Sequence, residues 1–205
     1  MPELHARLLA DVIALGSPYP LVLTGGYAVR AHRLVNRPSQ DLDVATENPA
    51  PMADIAATLR AGLEARGWKV HALETAPLSA RFTVADPATG QECEVDILKE
   101  IFWRPVAQSP YGPVLAEEDV IGTKVRALAD RGAPRDLIDV FAASHRWTRA
   151  FCGDPVDNLA EERAGAHGGV DNRHLLVREA LHAAQAGAQD GVGEADHLLT
   201  RRGGV

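Results

Sequence analysis

Cysteine is scarce: Cys93 and Cys152 are the two in 205 residues, and neither lies in a Cys-x-x-Cys pair. That excludes a disulfide framework and a thiolate zinc site, so both read as reduced thiols. No apolar run is long enough to span a bilayer. The opening residues, MPELHARLLADV, carry an acid and no uninterrupted hydrophobic stretch. They do not read as a secretory signal, and a cytoplasmic location is expected. Positive charge is in deficit, with 21 Lys and Arg against 28 Asp and Glu and a net charge of −7. Extended nonspecific binding to duplex nucleic acid is therefore disfavoured, because that mode lives on cationic neutralisation of phosphates. A local basic patch stays open through Arg126, Arg131 and Arg135. No G-x-G-x-x-G occurs and no Gly-Lys-Ser/Thr follows a glycine loop, which removes the Rossmann and Walker readings. The eight histidines form neither HExxH nor a Cys/His quartet.

What is present is an ordinary globular balance of 46% hydrophobic and 24% charged residues. The length suits one domain with a real core, or a core with a small helical appendage. Leu4, Leu8, Leu9, Val12 and Ile13 fall on one face of a helix over 3–16, stopped by Gly16, Pro18 and Pro20. A short apolar strand, 21–24, breaks at Gly25–Gly26, and a helix over 27–34 follows. Asp41–Ala45 alternates acid and apolar residues as a strand does. Ile55, Leu59 and Leu63 mark a helix over 52–66, with Gly67 as its stop. Strands are expected over 68–73, 80–85 and 92–98, the last two joined by the turn 86–90, and 101–107 reads as a further extended segment. Helices over 117–130 and 134–147 come next, and residues 173–186 could form one more. The order implies an α/β (α+β) core with a helical C-terminal region. The expected division is a core over 1–116, a helical segment over 117–150, and a variable tail over 151–205.

The chemistry is carried by acids on strands. Asp41 and Asp43 are two apart, so they share one face while Leu42 and Val44 take the other. Paired carboxylates repel, which is tolerable on a wet face and useful when a divalent cation sits between them. An ordinary strand with one solvated face produces the same pattern. Glu94-Val95-Asp96-Ile97 repeats it. Two-metal phosphoryl transfer needs carboxylates from more than one strand, so Asp96 is the candidate third acid. Glu94 has the same parity and competes; Asp96 is preferred because apolar residues on both sides should fix its strand in the sheet. Gly25 and Gly26 permit a tight turn and close backbone approach to a ligand, though two glycines after a strand are most often only a turn.

The segment LTGGYAVRAHRLVNRPSQDLDVAT resembles the signature of DNA polymerase β-like nucleotidyltransferases, in which a strand, Gly-Gly or Gly-Ser and a helix precede Asp-x-Asp. The resemblance implies that fold, with a mixed sheet. It implies that Gly25 and Gly26 hold a nucleoside triphosphate, and that Asp41, Asp43 and Asp96 bind Mg²⁺ (or Mn²⁺). The third acid helps activate the attacking hydroxyl. Such loops often carry Ser where this chain has Gly26, which removes one hydroxyl contact to phosphate. A second segment, EEDVIGTKVRALADRGAPRDLIDVFA, is similar to the later motifs of the AbiEii toxin branch, which includes the MenT-type toxins. There Lys124 and Asp136 match functional positions, Lys124 as a phosphate contact. The resemblance runs over roughly residues 20–146.

Read without the resemblance, Lys124 lies within the apolar stripe Ile121, Val125, Leu128. It either snorkels to the surface or points at a phosphate. Asp136 follows Pro134 in the first turn of a helix, where an acid suits the dipole. The leading expectation is an enzyme that transfers a nucleoside monophosphate from an NTP to an acceptor. The branch implies a toxin of a toxin–antitoxin pair, with tRNA as candidate acceptor and a winged-helix antitoxin as partner, and no membrane. The alternatives are a small-molecule nucleotidyltransferase of the antibiotic-resistance type, or a degenerate transferase that only binds. The Lys124–Asp136 block argues against the first and the three retained acids against the second.

Overall fold

A computed structural model describes residues 1–144, and the chain divides into two units, Met1–Gly122 and Thr123–Val205, taken here one at a time. The first unit opens with α1 (Glu3–Leu15), β1 (Val22–Leu23), α2 (Gly25–Ala31), β2 (Leu42–Thr46) and α3 (Met52–Ala65). Then come β3 (Lys69–Ala76), β4 (Ser79–Ala85), β5 (Glu92–Lys99), β6 (Ala107–Ser109) and β7 (Gly112–Val114). The seven strands form one sheet in the order β3-β4-β5-β2-β1-β7-β6. It is mixed: β2 runs parallel to β5 and β1 to β7, and the remaining pairs are antiparallel.

One face of this sheet is apolar because its strands alternate. Leu42 and Val44, Val95 and Ile97, and Ala80, Phe82 and Val84 are all buried. Helices α1 and α3 add Leu8, Val12, Ile55, Leu59 and Leu63 to the same core. Each of the larger side chains contributes about 1.5–3 kcal/mol by leaving water. Helix α3 ends in a Schellman turn: Gly67 N–H donates to Glu64 C=O at 3.0 Å and Trp68 N–H to Leu63 C=O at 3.1 Å. Gly67 takes φ +90°, which is why glycine stands there. The long edge strand β3 is broken by a register shift between Ala72 and Glu74 and carries exposed polar residues, which blunts it against pairing with other chains.

Of the extended segment expected at 101–107, only Ala107 enters a strand, as the first residue of β6. Backbone donors before it are taken by carboxylates instead: Phe102 N–H by Glu47 at 2.7 Å, and Trp103 and Arg104 N–H by Asp119 at 3.0 and 3.1 Å. The strands lie just beyond, in the short hairpin β6–β7. Helix α2 also begins and ends earlier than expected, at Gly25 and Ala31.

Helix α4 (Glu117–Arg131) begins in the first unit, and its later residues, with α5 (Pro134–Ser144), belong to the second. The expected helix over 173–186, the tail over 151–205, Cys152 and the end of the 134–147 helix lie outside the described residues. Among the described residues no helix is long and apolar enough to cross a membrane.

Candidate active site

The parallel ladder between β2 and β5 sets the geometry of the acids. Asp43 and Asp96 are direct partners across it, so both carboxylates leave the face opposite the apolar core. Asp41 precedes β2 by one residue and shares the parity of Asp43; continuing the register one step sets it opposite Glu94. The face therefore bears two rows of paired acids. Glu94, the competitor of Asp96, is exposed at the outer row, whereas Asp96 is half-buried in the inner one.

The glycine turn lies against this inner row. Thr24 N–H donates to Asp43 C=O at 2.9 Å, which ties the end of β1 to β2. Gly25 has φ +61°, and a β-carbon there would run into the Asp43 carboxylate. Glycine is thus required twice, by conformation and by space. A β-carbon on Gly26 would meet the Ser39 hydroxyl, so a nearby serine fills the space that a side chain at position 26 would need.

The loop leading to Asp41 is pinned from below. The Tyr27 phenol donates to Ser39 C=O at 3.1 Å and sits 2.6 Å from His5 Nδ1. With its own proton committed to Ser39, the Tyr27 oxygen accepts from His5, which fixes His5 as the Nδ1–H tautomer. Burial first, then the neighbouring Cys93, pushes the Tyr27 hydroxyl up to about 12. Burial holds the His5 imidazole below its ordinary value despite the pull of Asp41. Both groups are therefore neutral at pH 7, as this hydrogen-bond chain needs.

Asp96 has a specific partner. Arg81 stands opposite it on β4, and its guanidinium donates two bonds, Nε to Oδ1 at 2.6 Å and Nη2 to Oδ2 at 2.9 Å. That bond and charge raise the Arg81 pKa further, with Glu94 and Asp41 adding to the pull. Among the described residues no group of three or more His, Cys, Asp or Glu side chains is arranged to hold a metal ion. The donor set itself suits a hard divalent cation: it is all carboxylate oxygen, and two of its members are ladder neighbours.

The second unit contains a buried charge cluster. Lys124 Nζ lies 3.2 Å from Asp139 and 3.5 Å from Asp136, and its side chain is only 9% exposed. It does not snorkel into solvent. Arg131 donates to both oxygens of Asp136, at 2.7 and 3.1 Å. Burial alone would raise the Asp136 carboxyl; Arg131 and Lys124 overcome it and hold the group below the usual carboxylate range. The two helices α4 and α5 are thus clasped through Lys124 and Arg131 on one and Asp136 and Asp139 on the other.

Sequence reasoning missed Arg81, Ser39, the His5–Tyr27 pair and Asp139 as Lys124's partner. Arg81 was within reach: strands ending at Ala85 and starting at Glu92 pair those two residues, and counting four residues away from the turn on each side sets Arg81 opposite Asp96.

A mixed sheet with ladder-adjacent aspartates on its open face and a glycine turn against one of them is the arrangement that the resemblance to polymerase β-like nucleotidyltransferases implies. The chain belongs to the AbiEii family, described as "Nucleotidyl transferase AbiEii toxin, Type IV TA system", whose profile matches residues 7–199. That span reaches well past the segment 20–146 in which the motifs lie. Two solved structures from Helicobacter pylori share the fold. JHP933 is 17% identical, with 98% of both chains covered and a TM-score of 0.53. A proposed nucleotidyltransferase is 16% identical, with 91% of this chain and 95% of that chain covered and a TM-score of 0.54. No curated protein sequence matches the chain.

Proposed function

We propose that this nucleotidyltransferase moves a nucleoside monophosphate from an NTP to an acceptor hydroxyl with release of pyrophosphate, and that it acts as the toxin of a toxin–antitoxin pair with tRNA as acceptor. The observation that carries the chemistry is the juxtaposition of Asp43 and Asp96 across one ladder, with Gly25 against Asp43. Family membership supplies the reaction class. Asp41, Asp43 and Asp96 are the residues that would hold Mg²⁺ or Mn²⁺. Bound there, the ion would neutralise charge on the triphosphate and orient it. Gly25 and Gly26 are assigned to the triphosphate on the motif match, as a tight turn set against the Asp43 carboxylate. Asp96 is the acid assigned to the acceptor: its carboxylate takes the proton as the hydroxyl oxygen bonds to the α-phosphorus and the bond to pyrophosphate breaks. Lys124 and Asp136 are assigned to the triphosphate on the motif match alone. A winged-helix antitoxin is the proposed partner, and the cytoplasm the proposed location.

Incubation with each labelled NTP, Mg²⁺ and total tRNA tests this reading, with candidate small molecules as parallel acceptors. Label is expected in tRNA, and Asp43→Ala should abolish it while the melting temperature holds, because the change removes a carboxylate from a repelling row. Label in a small molecule alone would replace the tRNA assignment. No transfer from any NTP to any acceptor would sink the reading.

A further inference from the structure

The Arg81–Asp96 pair is in an unusual place for a structural ion pair. Its two residues face each other across the β4–β5 ladder on the open side of the sheet, where three further acids stand. The guanidinium fork spans both carboxylate oxygens of Asp96, the same oxygens that a divalent ion would contact. The two side chains are unequally exposed, Arg81 at 47% and Asp96 at 15%. The arginine can leave for solvent at little desolvation cost, whereas Asp96 stays where the strand puts it.

We propose that Arg81 is a displaceable stand-in cation: it holds Asp96 in the metal-free protein, keeps the three-acid site from assembling, and must be pushed off Asp96 before an ion is bound. This rests on the metal-site reading above. It gives a role to an arginine fork set on one member of an all-oxygen donor set. It also accounts for the tolerance of so many acids on one face: the guanidinium offsets part of their repulsion until a divalent ion does so more strongly.

The test is Mn²⁺ binding to the full chain without nucleotide, read from the loss of the free-ion electron paramagnetic resonance signal. Arg81→Ala should bind Mn²⁺ about five- to tenfold more tightly than wild type, the release of one exposed bidentate pair. Arg81→Lys, which keeps the charge but not the fork, should fall between them. Arg60→Ala removes the same charge from an exposed pair with Glu64 on α3 and should change nothing. Adding Asp43→Ala to Arg81→Ala should erase the gain, which locates the ion on the acids. If Arg81→Ala melts too low to assay, Arg81→Gln takes its place and keeps most of the stem packing.

A merely structural cross-strand pair gives the opposite pattern: lower melting temperature with unchanged Mn²⁺ affinity. Wild type and Arg81 variants binding Mn²⁺ equally would overturn the stand-in role and leave the metal site intact. Absence of binding in every variant, with and without the α,β-methylene analogues of the four NTPs, would overturn both.

Discussion

Replacing Lys124 by methionine should unfold the second unit's helix clasp before it says anything about catalysis. Methionine keeps the length and most of the volume of the stem, so no large cavity confuses the result. What it removes is a charge between Asp139 at 3.2 Å and Asp136 at 3.5 Å, carboxylates only 2% and 0% exposed. Breaking a buried pair by deleting one partner costs about 3–5 kcal/mol, because the other charge stays buried. Asp136 retains the Arg131 fork, which argues for the lower end, about 3 kcal/mol. For a chain of 205 residues, each kcal/mol moves the midpoint by roughly 2–4 °C, so a loss on the order of 10 °C is expected. Thermal melts of Lys124→Met and of Lys124→Met with Asp139→Asn measure it. The second change removes the acid nearest to Lys124 Nζ and should recover part of the loss. A single variant within about 1 kcal/mol of wild type would refute the cluster as a stabilising element. Transfer assays on Lys124→Met belong well below its own midpoint, where lost turnover reports on phosphate contact and not on unfolding.

Gly25→Ala should cost more than about 2 kcal/mol in urea denaturation, since the left-handed conformation alone is worth about 1–2 kcal/mol and the new methyl meets Asp43; a loss under about 0.5 kcal/mol would show that the turn simply relaxes. His5 sets a pH dependence. Its folded pKa is lowered from 6.5, so the unfolded chain takes up the proton first, and its contribution is full above pH 6.5 and declines as pH falls below it toward the folded value. Urea midpoints should drop with pH in that window for wild type and stay flatter for His5→Gln, which can still donate to Tyr27; equal slopes would exclude His5 as the source.

Much of the fold could be read from the sequence because local physics and final structure agree there. Helices α1 and α3 carry complete apolar stripes, and Gly67 terminates α3 through the positive φ expected of it. Strands β2 and β5 alternate acid and apolar residues around Asp43 and Asp96, so their shared face followed from parity once the two strands were placed in one sheet. Where a segment's hydrogen bonds go to side chains from distant positions, no local pattern reveals it. Residues 102–104 look extended, yet Glu47 and Asp119 take their donors, and Asp119 does so while buried enough to raise its own pKa. Lys124 shows the same limit. A lysine on an apolar stripe has two obvious explanations, a snorkel or a ligand, and the structure supplies a third through Asp136 and Asp139, twelve and fifteen residues further on, in the next helix.

The two groups of acids in this chain resolve the same electrostatic problem in different solvents, and that decides what each mutation can report. On the open face of the sheet, repulsion among Asp41, Asp43, Glu94 and Asp96 is screened by solvent and, at Asp96, by the half-exposed Arg81. Removing an acid there relieves strain, so stability should hold or rise while transfer is lost. Inside the α4–α5 clasp the Asp136 and Asp139 carboxylates are buried, and their charge is balanced within hydrogen-bond distance. Removing Lys124, Asp136 or Asp139 unbalances a buried charge cluster, so stability and activity should fall together. A variant of the open face that loses both, or a clasp variant that loses activity alone at full stability, would mean that the division drawn here between a chemical face and a structural clasp is misplaced.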